Sequence, residues 1–272
     1  MIPKIIHYCW FGNSPMPQKH KDNIIKWKEI LPDYKIMCWD ESSIDIESIP
    51  FLKQAYEEKK WAFVADYTRL YALSKFGGIY MDTDVIVKKS FNPFLHHSFF
   101  TSYEYHPAYK HMEQIYNMID ENGFRRKGID PMEKIPGVGL MSAIIASEPQ
   151  CKYVNDVLCW YNEMTFHENR KYNYTIPTTL AIVAEKYGFR YVNEKQILQN
   201  NIIIYPSNIF ADYRTADKNS YAVHMCVGSW ADAHNVKNKV HKFLYNKFYK
   251  IRWMRKTYLT IRNLFSKYKV MY

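Results

Sequence analysis

Blocks of apolar and polar positions along the chain predict alternating strands and helices. Residues 3–10 are β-branched and aromatic and stop at a loop, which predicts a buried first strand. Apolar positions between 24 and 31 have helical spacing and end at Pro32, and residues 34–39 predict a second strand. A strand, a helix and a strand within the first forty residues indicate the start of a parallel α/β sheet.

The next block predicts a helix that leads directly into a short strand. The helix runs over about 62–75, and the glycine pair at 77–78 is placed to supply the left-handed residue that closes it. The strand at 79–81 then delivers Asp82 and Asp84 to the carboxyl edge of the sheet. In open α/β sheets, that edge is where ligands bind.

The rest of the chain shows weaker periodicity and no internal repeat. Further helices are predicted near Pro50, in part of 103–128, and over 151–164 and 178–188; late strands are predicted at 202–205 and 221–227. The segment 133–139 has the composition of a loop, and 141–147 is apolar without a defined period. We therefore predict one α/β domain over residues 1–232, followed by a separate tail over residues 233–272.

The charge of the chain is concentrated in that tail. The formal net charge is +10, yet residues 233–272 contain eleven Lys or Arg and no Asp or Glu, so residues 1–232 carry −1. Interleaved basic and aromatic residues predict a basic helical tail that binds an anionic membrane surface, with nucleic-acid binding and simple packing on the domain as alternatives. A membrane- or nucleic-acid-binding module without catalysis is the corresponding non-enzymatic hypothesis.

Cysteine usage and hydropathy limit the cellular compartments that the sequence fits. The five cysteines are scattered and contain no CxxC pair, which argues against a disulfide framework or a thiolate zinc site. No segment reaches eighteen consecutive apolar residues, and the N-terminal apolar run is too short for a signal peptide. The sequence predicts a cytoplasmic protein, either soluble or peripheral on a membrane.

Two pairs of charged residues are candidates for chemistry. On a regular strand, Asp82 and Asp84 would face the same side about 6–7 Å apart, an arrangement that a divalent cation such as Mg²⁺ or Mn²⁺ would stabilise. Asp66 and Arg69 are three residues apart on the predicted helix and share one face. Taken alone, the first pair is also compatible with a surface turn, and the second with a surface ion pair.

The string that contains both pairs, ADYTRLYALSKFGGIYMDTD at 65–84, resembles the DXD signature of a glycosyltransferase family. That family, of the family 32 type, includes capsular and lipopolysaccharide sugar transferases, yeast-type initiating mannosyltransferases and the glucosylating domains of clostridial toxins. IPKIIHYCWFG at 2–12 is similar to its first strand, and YAVHMCVGSW at 221–230 to its closing segment. Many members carry Gly-Pro before a later helix, where this chain has YTIPTT at 174–179, so the acceptor side is left unassigned.

The resemblance implies a GT-A type nucleotide-sugar transferase with a single Rossmann-like mixed sheet. The implied activity is metal-dependent, retaining transfer of a hexose from a nucleotide sugar, with UDP-galactose or UDP-glucose as the first expectation and GDP-mannose as the alternative. The acceptor would be a glycan or lipid-linked oligosaccharide in capsular polysaccharide or lipopolysaccharide biosynthesis. The enzyme would then be membrane-associated at the inner face of the cell membrane.

The resemblance also implies roles for individual residues. Asp82, Asp84 and His224 would bind Mn²⁺ or Mg²⁺, and Asp66, Arg69 and Asp82 would act on the donor sugar at the reaction centre. The donor-binding residues would be Trp10, which stacks on the nucleobase, and Asp66, Arg69, Tyr80, Asp82, Ser229 and Trp230.

A rival enzymatic interpretation uses the same acids. The segment 79–85 also fits the strand motif of haloacid-dehalogenase-like phosphatases, in which the first Asp is a nucleophile. That fold normally begins with this strand and has a second acid pair on a later strand. Here about eighty residues precede the motif, and we find no later strand ending in two acids, so the transferase interpretation is preferred.

Overall fold

A mixed β-sheet with helices on both sides forms the centre of the computed structural model, which describes residues 1–105, 112–172 and 174–227, with only the backbone of 112 and 113. Within these residues the strands are β1 (Ile5–Cys9), β2 (Lys35–Trp39), β3 (Gly78–Met81), β4 (Val85–Val87), β5 (Phe99–Tyr105), β6 (Val138–Leu140), β7 (Ile144–Ser147), β8 (Gln196–Leu198), β9 (Ile202–Tyr205), β10 (Phe210–Asp212) and β11 (Ala222–His224). The α-helices are α1 (Gln18–Ile30), α2 (Pro50–Glu57), α3 (Trp61–Phe76), α4 (Met112–Met118), α5 (Lys152–Glu163), α6 (Phe166–Tyr172) and α7 (Ile176–Glu185). Short 3₁₀ turns occupy Asn92–Phe94 and Gln199–Asn201.

The main sheet has the strand order β2-β1-β3-β7-β5-β9-β8, with β6 paired to β5. Strand β1 is parallel to both β2 and β3, whereas β3 and β7 are antiparallel. The carboxyl ends of β1, β2 and β3 therefore lie at one edge, which carries Trp10 after β1 and Asp82 after β3. The predicted α/β architecture with a central mixed sheet is confirmed.

Alternate residues of β3 face two different apolar clusters. Tyr80 belongs to a cluster with α2, α3, α5 and α7, whereas Ile79 and Met81 belong to a second cluster with α1, β4 and β10. Because successive side chains of a strand point to opposite faces, both faces of the sheet are covered. The DXD segment thus leaves the sheet between two packed layers.

The glycine pair lets helix α3 turn into β3 without a spacer. Gly77 has φ 61° and its N–H donates to Leu73 O at 2.8 Å, which confirms the predicted positive φ at the helix end. Gly78 has φ 107°, and a Cβ there would lie 2.6 Å from Ile5 O. Only glycine fits this close approach of β3 to β1.

A small second sheet closes the carboxyl edge, and the sequence did not predict it as a unit. Its order is β10-β11-β4, with β4 antiparallel to β11 and His224 opposite Val85. The predicted late strand over 221–227 is shorter, and 141–147 contains strand β7. Helix α6 and strands β4, β6, β8 and β10 were not predicted, because each is short and has no clear period. Strand β5 was not predicted either, and its last residues overlap the segment 103–128 that was expected to be partly helical.

One expectation about local geometry was wrong. Asp82 and Asp84 do not lie on a regular strand, since Val85 N–H donates to Asp82 O at 2.9 Å and closes a tight turn between β3 and β4. The tail at 233–272 lies outside the described residues, so its predicted helix and the boundary at 232 stay predictions. Among the described residues, no helix has both the length and the apolar character needed to cross a membrane.

Candidate active site

The turn between β3 and β4, Asp82-Thr83-Asp84, links the main sheet to the small sheet. Its first residue is anchored to the main sheet because Asp82 N–H donates to Ala143 O at 3.0 Å. Its last residue is followed at once by β4, which pairs with β11. Both aspartates are half-buried. A ligand at this turn would therefore contact both sheets.

His224 reaches the turn from the small sheet. Its register opposite Val85 brings Nε2 to 3.3 Å from Asp84 Oδ1 and 3.8 Å from Asp82 Oδ2. Burial disfavours the imidazolium, but Cys226 and Asp84 raise the pKa of His224 well above its usual value. The local field thus favours positive charge between the two carboxylates.

These three side chains offer a set of metal ligands. One atom from each of Asp82, Asp84 and His224 lies within 4.8 Å of the others. Mg²⁺ takes oxygen ligands almost exclusively, whereas first-row divalent ions such as Mn²⁺ accept carboxylate and imidazole together. The donor set therefore fits Mn²⁺ if His224 binds, and either ion if only the aspartates do.

A buried ion pair on α3 lies beside the turn. Arg69 Nη2 donates to Asp66 Oδ1 at 2.9 Å, and Arg69 Nη1 donates to Ser142 O at 2.8 Å and lies 3.5 Å from Asp82 Oδ1. Burial and the nearby Asp82 raise the pKa of Asp66 to about 7, against the opposing effect of Arg69. Asp66 and Arg69 thus share one face of α3, as predicted, and they form part of a buried network instead of a surface ion pair.

Tyr80 completes this network from β3. Its ring lies under the Arg69 guanidinium, 4.3 Å from ring centroid to Cζ, and its hydroxyl donates to Asp82 Oδ1 at 2.8 Å. Burial raises the pKa of Tyr80 well above its usual value, so the hydroxyl keeps its proton. Asp82 Oδ1 is consequently held by Tyr80 and Arg69, while Oδ2 faces His224.

Helix α1 supports the turn from the other side, a contribution that the sequence analysis missed. His20 Nδ1 donates to Thr83 O at 3.2 Å, and Asn23 Nδ2 donates to Thr83 O at 3.0 Å and to Val85 O at 2.6 Å. Trp27 Nε1 donates to Val85 O at 2.8 Å. The signal was present as hydrogen-bonding side chains at i, i+3 and i+7 of one helix, which share a face.

Trp10 lies next to helix α1, which supports the turn. It is half-buried, and its indole Nε1 donates to Ser14 O at 2.7 Å. Its ring packs against His20 with 5.7 Å between centroids, so a single side chain separates it from the turn. Trp10 is therefore not a core tryptophan, unlike Trp27, and part of its ring is open to a ligand.

Six of the predicted site residues thus form one connected cluster: Asp66, Arg69, Tyr80, Asp82, Asp84 and His224. Trp10 borders this cluster through His20. Ser229 and Trp230 lie outside the described residues, so their predicted roles are untested.

Residues 17–101 match the family described as glycosyltransferase sugar-binding region containing DXD motif. The matched range extends from α1 to β5 and includes Asp66, Arg69 and the DXD turn, but neither Trp10 nor His224. The resemblance recognised from the sequence is confirmed for this region. The matched region is less than a third of the chain, so the similarity concerns the DXD region and the elements around it.

Curated relatives with similar sequences include two yeast enzymes. Inositol phosphoceramide mannosyltransferase 3 of Schizosaccharomyces pombe is 32% identical over 100 residues, covering 35% of this chain and 28% of that protein. Mannosyl phosphorylinositol ceramide synthase SUR1 of Saccharomyces cerevisiae is 32% identical over 99 residues, covering 35% of this chain and 26% of that protein. The similarity thus spans little more than a quarter of either relative.

Solved structures with a similar course of the chain are more distant in sequence. The PaToxG glycosyltransferase gives a TM-score of 0.48 at 17% identity and covers 68% of this chain and 69% of that one. The galactosyltransferase LgtC in complex with donor and acceptor sugar analogues gives 0.43 at 12% identity, covering 82% and 87%. Likenesses at this distance do not bear on donor, acceptor or metal.

Proposed function

We propose that this protein is a metal-dependent, retaining glycosyltransferase that moves a hexose from a nucleotide sugar to a glycan or lipid-linked oligosaccharide. The observation that carries the proposal is the cluster of Asp82, Asp84 and His224 next to the buried Asp66–Arg69 pair. Asp82, Asp84 and His224 suit a cation with a diphosphate. The Asp66–Arg69 pair suits the hydroxyls of a sugar. Their contact through Asp82 is what transfer from a nucleotide sugar requires.

The reaction breaks the bond between an anomeric carbon and a diphosphate. Negative charge grows on the leaving phosphate, and a divalent ion held by the three ligands would stabilise it as a Lewis acid. Positive charge grows on the sugar ring, and the carboxylates of Asp66 and Asp82 would orient that ring and stabilise its charge. Arg69 and Tyr80 hold both carboxylates in place.

Retention of configuration is proposed from the family resemblance. In the route that this implies, the acceptor hydroxyl attacks from the face that the diphosphate leaves, and its proton passes to the leaving phosphate. This route needs no covalent nucleophile, and none is assigned among the site residues. The acceptor oxygen forms the new glycosidic bond as the donor's anomeric C–O bond breaks.

Two donor classes are in competition. We retain UDP-galactose and UDP-glucose as the first expectation. The names of the two yeast relatives, both of which refer to mannosyl transfer, give a specific reason to test GDP-mannose as the alternative. A thermal-shift screen of UDP- and GDP-sugars with Mn²⁺ would decide between them, since a donor that binds only the folded state raises its melting temperature.

Replacing one metal ligand tests the proposal. Asp84→Ala removes a half-buried carboxylate from the turn, and we expect it to lower sugar transfer at least about a hundredfold because the charge on the leaving group is no longer stabilised. The melting temperature should change little. Asp22→Ala, which removes an exposed carboxylate on α1, is the matched control and should keep its activity.

Three outcomes would contradict the proposal. Full transfer by the wild type in excess EDTA would exclude a metal role, and full transfer by Asp84→Ala would exclude the ligand assignment. Turnover of p-nitrophenyl phosphate without release of nucleoside diphosphate from any donor would favour the phosphatase interpretation.

A further inference from the structure

A cavity of about 830 Å³ lies between helix α4, the loop 130–136 and the C-terminal end of α6, and it contains none of the residues assigned to the donor. Its lining includes two amide, two carboxylate and two tyrosine side chains: Gln114, Asn117, Asp130, Glu133, Tyr172 and Tyr174. Its size is that of an ordinary small-molecule site. A cavity of this size and composition is a candidate for the acceptor side, which the sequence left unassigned.

The two tyrosines provide flat apolar surface. Their rings are stacked, with centroids 5.7 Å apart and an interplanar angle of 29°. Tyr174 is buried and fixed, since its hydroxyl donates to Met132 O at 2.9 Å and Trp160 packs edge-on against its ring. Tyr172 is 55% exposed. A rigid ring therefore supports an exposed one that a ligand can contact.

The polar lining consists of planar groups. Gln114 and Asn117 each offer a carboxamide with donors and an acceptor, while Asp130 and Glu133 offer carboxylate acceptors. Lys134 is the one basic side chain among the described residues of the lining, beside two acids, so the cavity does not suit an anion. Aromatic faces combined with amide and carboxylate groups match a neutral sugar, which has an apolar C–H face and a rim of hydroxyls.

The cavity is connected to the donor site by a short stretch of chain. Pro136 lines the cavity and lies two residues before β6, while Ser142, whose carbonyl accepts from Arg69, lies two residues after it. Six residues of fully extended chain span at most about 20 Å. Pro136 is therefore no farther than about 20 Å from Ser142, a length that an oligosaccharide of several units also spans.

We propose that this cavity is an acceptor subsite that binds a neutral oligosaccharide several sugar units away from the hydroxyl that reacts. The inference rests on the proposed transferase function and specifies its acceptor: an extended glycan and not a single sugar.

Direct binding tests the subsite in the full chain. Mannose, mannotriose, lactose and maltotriose would be tested by saturation-transfer NMR against wild type, Tyr172→Ala, Asn117→Ala and the control Tyr116→Ala. Tyr116 is 65% exposed on α4 and does not line the cavity. We expect a trisaccharide to bind more tightly than mannose, and Tyr172→Ala to weaken the trisaccharide about tenfold through loss of ring contact. Tyr116→Ala should bind as the wild type does.

Release of UDP or GDP in the same samples separates the two proposals. If nucleoside diphosphate is released but Tyr172→Ala and Asn117→Ala bind every sugar as tightly as Tyr116→Ala, the subsite is refuted and the transferase function stands. If no donor is turned over, the transferase function fails, and the binding comparison still decides whether the cavity holds a sugar. Equal affinity for mannose and for both trisaccharides would also overturn the subsite.

Discussion

At the scale of single residues, the two oxygens of Asp82 face different surroundings. Oδ1 accepts from Tyr80 and lies near Arg69, while Oδ2 lies nearest His224. Residues that orient a metal ligand commonly affect metal affinity almost as much as the ligand does. Under the proposed function, Tyr80 would position a metal ligand and would also contact the donor sugar.

Tyr80→Phe tests this role with the least change in volume. We expect the Mn²⁺ dissociation constant, measured by calorimetry, to rise about tenfold because Asp82 loses a hydrogen bond that fixes its orientation. Tyr34→Phe is the control, since the Tyr34 hydroxyl also donates one hydrogen bond, to Asn92, away from the site. Each variant should lose about 1 kcal/mol of unfolding free energy. An equal Mn²⁺ affinity in both variants would show that Tyr80 does not position Asp82.

His7 is a buried histidine outside the site whose charge state is set by its partners. Nε2 donates to Gly77 O at 2.8 Å, and Nδ1 accepts from Trp39 Nε1 at 3.0 Å. A second ring proton would face the Trp39 N–H. Burial lowers the pKa of His7 to about 4, with a further lowering by Lys35 and an opposing effect of the Gly77 bond. His7 is therefore neutral in the folded protein at pH 7.

The stability of the protein should fall on acidification through His7. The unfolded state takes up a proton near the ordinary histidine pKa of about 6.5, while the folded state resists until about pH 4. The contribution of His7 to the unfolding free energy is thus fully present above pH 6.5, and it is lost as the pH falls towards 4. Between pH 7 and 5 the loss is about 2 kcal/mol.

A variant without the titrating group isolates that contribution. His7→Gln keeps a donor and an acceptor but cannot take up a proton, so other titrating groups cancel when the two proteins are compared. In urea titrations, the wild type should lose more unfolding free energy from pH 7 to 5 than His7→Gln does. Parallel pH dependences would mean that His7 takes up a proton as readily in the folded protein as in the unfolded chain.

At the scale of elements, helix α1 stabilises the DXD turn through side-chain hydrogen bonds. Asn23 donates to the carbonyls of Thr83 and Val85, which flank Asp84 in the chain. No part of α1 offers a ligand to the metal in this arrangement, yet the helix fixes the backbone that carries one. The position of Asp84 therefore depends on a helix more than fifty residues away in the sequence.

Asn23→Leu removes both of these hydrogen bonds while roughly keeping the volume. We expect the unfolding free energy to fall by about 1–3 kcal/mol, because the carbonyls of Thr83 and Val85 each lose one of two donors. We expect Mn²⁺ binding to weaken as well. Asn193→Leu is the control, since Asn193 makes two hydrogen bonds to Ser207 elsewhere. A loss of stability in both variants with unchanged Mn²⁺ affinity in Asn23→Leu would reduce α1 to a purely structural role.

Local patterns predicted the longer helices and the first strands, but not β5, which has seven residues. The first strand, helix and strand, helix α3 with its glycine end, and the shared face of Asp66 and Arg69 all follow from spacing within a few residues. The pairing of β4 with β11 could not be predicted, because it joins three-residue strands that lie far apart in the sequence, at 85–87 and 222–224. The sequence left a turn open as an alternative for Asp82 and Asp84, and could not predict the contacts from α1 and the pairing with β11 that accompany it.

At the scale of the whole molecule, charge separates the chain into two parts. Residues 1–232 carry a formal net charge of −1, while residues 233–272 carry eleven basic residues and no acid. A near-neutral domain is not attracted to an anionic surface as a whole, so attraction would come from the tail. If the acceptor is lipid-linked, such attraction would concentrate the enzyme at the membrane surface that carries its substrate.

We therefore expect the full chain to sediment with vesicles that contain anionic lipid at low salt, and a chain that ends at Asp232 to stay in the supernatant. Each basic residue near such a surface contributes about 1 kcal/mol, an attraction that is screened beyond about 8 Å at physiological salt, so added salt should release the full chain. Vesicles of neutral lipid are the control for insertion of the aromatic residues alone. If the shortened chain sediments as much as the full chain, the membrane contact belongs to the domain. If excess RNA displaces the full chain from the vesicles, the tail is selective for phosphate groups and not for a bilayer surface.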